Sequence, residues 1–373
     1  MPRKLLLAAT LLIIPIASVA QWQILNTPTT ADLRGIHSLG SGIAWASGTN
    51  GTVLRTEDNG KTWQPCTTPP DAAKLDFRGI QAFDNKTAIV MSSGPGDLSR
   101  LYKTTDGCNT WKLIFTNPDK EGFWDGLVAE DSKAPPILIG DPVGGRFAFF
   151  VADNNLANHW QRMEHLGRAP NLSFPTPRSK DESFFAASNS ILHGYAYNGF
   201  SFVTGGRNGS FFYAPKWTVH SLFDYATVAY SVKALPLAKG ESAGAFSFVS
   251  DHDCDLRPIC KLIAVGGDYK KPDDPTGTAA FTTDGGKTWT AATTPPHGYR
   301  SSVTYDTPTK TWITVGPNGT DISTDDGRNW HALKPSPTDQ PDADQHWNAL
   351  SLPFVVGPHG RIGILRPDAL QPK

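Results

Sequence analysis

Thr56–Trp63 reads TEDNGKTW and Thr282–Trp289 reads TTDGGKTW, and this phrase, repeated almost letter for letter, decides the fold. Two looser copies exist, TTDGCNTW over Thr104–Trp111 and STDDGRNW over Ser323–Trp330. Each copy ends in Trp and follows a short run able to form a strand. A hairpin that recurs in this way means that the chain repeats one supersecondary unit.

The chemistry of the phrase explains its spelling. An Asp early in a tight turn, such as Asp58 or Asp284, accepts hydrogen bonds from backbone N–H groups ahead of it. Gly60 and Gly286 supply the positive φ that closes the turn. Thr62 and Thr288 begin the next strand, where a β-branched residue fits the pleat. Trp63 and Trp289 then bring a large apolar plate against neighbouring structure. The phrase matches the Asp-box, or bacterial neuraminidase repeat, with Cys108 standing where Gly is expected in the second copy and Asn329 where Thr is expected in the fourth. In families that carry the box it sits on the outer hairpin of propeller blades. That resemblance implies a structural role, not a catalytic one, for Asp58, Gly60, Trp63, Asp106, Trp111, Asp284, Gly286, Trp289, Asp325, Gly327 and Trp330.

A second phrase sharpens the count. SGTNGTVLRT begins at Ser47, GGRNGSFFYA at Gly205, VGPNGTDIST at Val315 and VGPHGRIGIL at Val356. Asn50-Gly51, Asn208-Gly209 and Asn318-Gly319 are strong hairpin signals, because both residues tolerate left-handed backbone. A third phrase opens each unit: DLRGI from Asp32, DFRGI from Asp76 and YRSSV from Tyr299, with FWDGL from Phe123 and HWNAL from His346 following the same pattern. Seven units result, starting near Leu33, Phe77, Phe123, Ser183, Ala226, Tyr299 and His346. The third ends in a stretched relic of the box at Trp160, and the fourth reaches Trp217 through a short turn without one. The last unit runs out one strand short after Leu365. Trp22–Leu25 is the spare strand, and its pairing with the last blade would close the ring and remove an exposed edge. The expected fold is all-β: a seven-bladed β-propeller of four-stranded antiparallel blades, closed by an N-terminal strand.

The ends and composition agree. Arg3 and Lys4 precede an apolar run from Leu5 to Ala17, and Ser18-Val19-Ala20 supplies the small residues of a cleavage site. Residues 1–20 therefore read as a signal peptide, leaving residues 21–373 as a single exported propeller domain, periplasmic or secreted. No later segment is long and apolar enough for a spanning helix. Without Arg3 and Lys4 the chain has 32 basic against 35 acidic residues, which gives no global pull toward nucleic acid. In an exported chain disulfides persist. The four cysteines allow three connectivities, of which Cys66–Cys108 and Cys254–Cys260 are the expected pair.

Asp-boxes combined with the L-R-G-I and G-x-N-G-T-V-L-R-T phrases resemble the photosystem II assembly and stability factor family of seven-bladed propellers. The resemblance spans nearly the whole chain after residue 20 and is best in units one, two and six. It implies a binding scaffold; the expected ligand is a protein, peptide or glycan, with no cofactor or metal, and the chain is expected to act as a monomer. Sialidases share the Asp-box propeller and supply the enzymatic rival. Their chemistry needs an Arg cluster, a Tyr nucleophile assisted by Glu, and an Asp acid/base. Arg34-Gly35-Ile36 and Arg78-Gly79-Ile80 lack the Pro of the sialidase Arg-Ile-Pro phrase. Tyr299, Arg300 and Glu182 are the residues from which such a site could be assembled.

The best functional clue is the opening strand. Arg34, Arg78 and Arg300 are aligned in three units, with Trp124 and Trp347 matching in two others. Opening strands of propellers lie innermost, so these positions are expected to converge on the channel as a cationic patch with flat aromatic contacts, capturing an acidic partner. The competing expectation is that each Arg braces its own blade through a carboxylate such as Asp32 or Asp76. Asp251-His252-Asp253-Cys254-Asp255 lacks the spacing of a calcium loop, and the histidines show no metal-ligand spacing. Gly140-Asp141-Pro142 through Arg146 reads as a blade turn.

Overall fold

The computed structural model describes residues 21–129, 135–152, 159–163, 175–195, 199–214, 217–221, 224–228, 230–251, 260–335, 337 and 339–370. Among these residues the chain forms seven four-stranded antiparallel sheets and one two-stranded ribbon. Blade one is typical. Leu33–Gly40, Ile43–Gly48, Val53–Thr56 and Gln64–Pro65 pair in sequence order. The turn between its second and third strands is Asn50-Gly51, both at positive φ (59° and 65°), the backbone that a tight hairpin of this twist requires.

Blades two, three and six repeat this order, opening with Phe77–Ala82, Trp124–Val128 and Ser302–Asp306. Blade seven contributes Ala349–Ser351, Phe354–Val356 and Ile362–Leu365, and its fourth strand is Trp22–Leu25 from the other end of the chain. Trp22 pairs with Leu365 and Leu25 with Ile362, so the ring closes as expected. The Trp22 indole N–H also donates to Thr320 Oγ1 in blade six at 3.1 Å.

The core is a ring of clusters between adjacent blades. Leu33, Trp63 and Phe354 join blades one and seven. Trp45, Phe77 and Tyr102 join one and two, and Leu101, Trp124 and Phe150 join two and three. A larger phenylalanine-rich cluster spans blades three to five. The box tryptophans are part of this ring: Trp63 packs edge-on against Phe354 and Trp289 against Phe211, each on the preceding blade.

The boxes themselves share one geometry. Thr56 Oγ1 donates to Asp58 Oδ1 and accepts from Gly60 N–H, while Thr62 donates to Asp58 through its N–H at 2.9 Å and its hydroxyl at 2.6 Å. The pattern recurs at Asp106 and Asp284. In the fourth box Asn329 replaces the Thr by donating its backbone N–H and its side-chain amide to Asp325. Cys108 adopts the positive φ of the missing Gly, at 65°, and is linked to Cys66, stapling blades one and two. Cys260 is disulfide-bonded as well; Cys254, residues 1–20 and most of the Asp251–Asp255 acidic run lie outside the described residues.

Blades four and five depart from the expected boundaries. Blade four consists of Leu192–Tyr195, Gly199–Val203, Ser210–Ala214 and Ser231–Ala234. Its outer strand is not reached at Trp217. Trp217–Ser221 and Asp224–Val228 form the separate ribbon, inserted before that strand. Ala226 therefore belongs to blade four's insertion, and blade five opens at Ala243. The fourth unit does begin at Ser183, which pairs with Gly205. Nine positions then separate Ser183 from Leu192, whereas three separate their partners Gly205 and Phe202. The excess chain, residues 184–190, leaves the sheet and lies across the channel.

Candidate binding site at the channel mouth

In blades one, two and three the first strand carries a bulge one residue after its start, and in blade five three residues after it. The skipped residues are Arg34, Arg78, Asp125 and Phe246. A bulge re-aims one side chain out of the sheet's alternation, and here it aims all four at the channel. The second strands mark the same position in the remaining blades. A Cβ on Gly48 would sit 2.2 Å from the Asp32 carbonyl oxygen, and Gly140, Gly316 and Gly357 approach Phe123, Tyr299 and His346 in the same way. Asp32, Phe123, Tyr299 and His346 are therefore equivalent, as are the residues two after each of these: Arg34, Asp125, Ser301 and Asn348.

All these bulge-position residues, together with Ser183, line one cavity of about 650 Å³ at the channel mouth. Every blade contributes to it. The turns of the Asp-boxes lie at the other end of the blades, since the third strand runs away from the Asn-Gly turn toward the box.

This register corrects part of the expected patch. Arg34 and Arg78 face the cavity, but Arg300 does not share their position; Ser301 does. Arg300, Trp124 and Trp347 are counterparts of Leu33, one residue earlier. In a strand that shift moves a side chain to the opposite face. Trp124 and Trp347 are accordingly fully buried in interblade clusters, and of the two Trp347 borders the cavity. Arg300 is also fully buried. Its Nε–H donates to Asp321 Oδ2 at 2.9 Å and its Nη1 to Asn318 Oδ1 at 2.6 Å. His297 reaches the other Asp321 oxygen at 2.9 Å. Against desolvation, His297 and Arg300 hold the Asp321 carboxyl below its ordinary range. This network braces blade six.

Arg34 and Arg78 share Asp76. Arg78 Nε donates to its Oδ2 at 2.8 Å, while Arg34 Nε stands 3.8 Å from Oδ1 and makes no hydrogen bond among the described residues. Two guanidinium groups thus stand against this one carboxylate at the mouth.

The inserted segment floors the cavity and is tied down on several sides. Arg78 Nη1 donates to the Ala186 carbonyl at 3.1 Å. Asn189 accepts from Leu127 N–H and donates to Leu127 O in blade three. Ser188 donates to Ser301 O across the ring in blade six, and Ser190 to Ser247 Oγ in blade five. Phe185 stacks on Phe246 at 4.1 Å between ring centroids, nearly parallel. Tyr269 and Tyr299 meet Phe246 edge-on. The cavity thus has a cationic side and an aromatic side. Burial, then the nearby Tyr269, raises the Tyr299 hydroxyl above its ordinary range.

The acids of the site were not singled out in the sequence. Asp125 is almost completely buried at its bulge, and Asp141, read as part of a turn, accepts from Ser183 Oγ and Phe184 N–H. The signal for Asp125 lay in the FWDGL phrase, whose middle letter aligns with Arg34. Glu182 does not border the cavity. Its buried carboxylate accepts from Thr204 and Ser210 hydroxyls, so Tyr299, Arg300 and Glu182 do not assemble into one site. Among the described residues no cluster of side chains could hold a metal ion, and no helix is long and apolar enough to cross a membrane.

Comparison with known proteins agrees with this architecture. The family described as BNR/Asp-box repeat matches residues 280–291, the third box. The Photosystem II assembly protein Ycf48 of Thermosynechococcus vestitus is 29% identical over 80 residues, which cover 21% of this chain and 23% of that protein. Among solved structures, YCF48 bound to D1 peptide superposes with a TM-score of 0.57 at 16% identity, covering 95% of this chain and 100% of that one. YCF48 from Cyanidioschyzon merolae gives 0.57 at 17% identity, covering 94% and 100%. The WD40 β-propeller domain of Doa1 gives the same score at 8% identity, covering 96% and 100%, so the structural likeness establishes the propeller fold. The chain is an Asp-box repeat propeller similar to Ycf48.

Proposed function

We propose that this propeller is a non-enzymatic binding scaffold that captures a carboxylate-bearing segment of a protein or peptide at its channel mouth. One observation carries the reading: the equivalent bulge of each of two neighbouring blades delivers an arginine, Arg34 and Arg78, into a single cavity walled on another side by stacked aromatic rings. Guanidinium groups recognise carboxylates through paired N–H donors, and flat apolar walls supply contact area beside them. The similarity to an assembly protein, and to a YCF48 structure bound to D1 peptide, supports a peptide as the captured partner.

The scaffold is read as working outside the cytoplasm. Residues 1–20 have the character of an export signal, and the Cys66–Cys108 bond suits an oxidising compartment. Fractionation of cells carrying the full chain tests this, since retention in the cytoplasm with residues 1–20 uncleaved contradicts it.

The binding test is an array of peptides synthesised in paired free-acid and amidated forms, probed with the purified protein. Preference for free acids and acidic side chains supports the reading; equal binding of both forms removes it. A sialidase-type reading draws on one feature, the carboxyl groups of Asp125 and Asp141 beside Arg78 in the same cavity. Turnover of a fluorogenic sialoside by the purified protein would reverse the ranking.

A further inference from the structure

Blade three delivers an acid to the cavity from the bulge that delivers arginines in blades one and two. Asp125 is 2% exposed, yet its Oδ2 has no hydrogen-bond partner among the described residues. A buried ionised carboxylate oxygen without a donor is strongly disfavoured. The orphan atom is explained if it carries a proton and awaits an acceptor.

The surroundings decide where that proton sits. Asp141, on the second strand of the same blade, and Arg78 of blade two face Asp125, with the backbone of Ala186 from the inserted segment. Arg34, Glu241, Tyr269 and Tyr299 complete the charged and titratable lining, and Asp76 binds both arginines. Two carboxyl groups sharing one enclosed site do not both ionise freely. Burial raises the Asp141 carboxyl too, but less, because it accepts from Ser183 Oγ–H and Phe184 N–H, so of the two it holds the charge more readily. Burial and then Asp141 push the Asp125 carboxyl well above its ordinary range, against the pull of Arg78 and of the Asp141 and Ala186 backbone.

We propose, resting on the carboxylate-capture reading, that Asp125 is a hydrogen-bond donor of the site: its Oδ2–H takes one oxygen of the captured carboxylate while Arg34 and Arg78 meet its charge. An acid at this position then selects for a negative ligand, not against one. It adds a donor whose strength depends on its remaining neutral, whereas the arginines attract any anion.

The test uses the full chain and two small probes titrated by calorimetry at pH 6: N-acetyl-phenylalanine, a carboxylate beside an aromatic ring, and phenylalanine amide, a cation of the same size. Asp125→Asn keeps a donor in place and is expected to bind N-acetyl-phenylalanine within about threefold of the parent. Asp125→Ala removes it and is expected to bind roughly tenfold more weakly or worse. Asp125→Asn as weak as Asp125→Ala overturns the proposal, and so does tight binding of phenylalanine amide that Asp125→Asn abolishes, since an ionised Asp125 then serves a cation. Should Asp125→Ala not fold, infrared difference spectra of the parent against Asp125→Asn decide: a neutral-carboxyl C=O band at pH 6 is expected, and its absence overturns the proposal. The paired Arg34→Gln/Arg78→Gln variant separates the two readings. If it binds N-acetyl-phenylalanine as the parent does, or the parent does not bind it, the capture reading itself fails.

Discussion

Arg300 and Asp321 form an enclosed ion pair in blade six, one residue out of register with the bulge that sends Arg34 into the channel. Removing one partner of a buried pair leaves the other charge uncompensated, at a cost of about 3–5 kcal/mol. Arg300→Met is expected to lower the denaturant midpoint accordingly while leaving peptide capture by the folded protein unchanged. Unchanged stability with lost capture would return Arg300 to the binding patch.

The Asp-boxes predict a specific response to acid. The Thr62 side chain and N–H hold the Asp58 carboxyl down to about 2, and Thr110 does the same for Asp106. At Asp284 the bonds from Thr288 outweigh a desolvation that opposes them, again reaching about 2. A depressed folded value means that the stabilisation is fully present above the unfolded value of 3.8 and is lost as pH falls through about 2. Asp284→Ala is therefore expected to melt below the parent at pH 5, with the gap closing toward pH 2. A gap independent of pH would assign the loss to packing alone.

Asp125 predicts the opposite sign. Its folded value is raised, so its contribution is present below the ordinary carboxylate range and is lost as pH rises through the raised value. Melting curves from pH 5 to pH 9 should show the parent losing stability relative to Asp125→Asn as the pH climbs. Parallel curves over the whole range would place an ionised, well-solvated Asp125 in the cavity.

Cys66 and Cys108 are 42 residues apart in the chain, and closing a loop of that length stabilises by about 3–4 kcal/mol in the chain-entropy account. Cys66→Ser/Cys108→Ser should lower the guanidinium midpoint by a matching amount. An unchanged midpoint would mean that the interblade contacts around Trp45 and Trp111 hold blades one and two together without the bond.

The parts of this structure legible in the sequence are those that repeat. The box spelling, the Asn-Gly turns and the unpaired Trp22–Leu25 were enough for blade number and ring closure, because each encodes a local geometry. The outer strand of blade four and the start of blade five were misplaced because blade four has no box and carries two insertions, the ribbon of residues 217–228 and the channel segment of residues 184–190, neither of which has a counterpart to align. The site was half visible. Arg34 and Arg78 stood out as a repeated letter, whereas Asp125, Ser183, Phe246, Ser301 and Asn348 occupy the same place with different chemistry. Repetition finds the scaffold, and the residues that break it supply specificity. The misplacement of Arg300 has a simpler cause, a one-residue slip: the middle letter of YRSSV is Ser301, and the glycines of the second strands bear that register out.

The central claim is that Arg34 and Arg78 together capture a carboxylate at the channel mouth. The most direct measurement is a calorimetric titration of the best free-acid peptide from the array into the parent protein and into Arg34→Gln/Arg78→Gln. Losing two charge-assisted contacts should weaken binding by roughly a hundredfold, with the amidated peptide weak against both proteins and the melting temperature nearly unchanged. Equal affinity of parent and variant for the free-acid peptide would contradict the account.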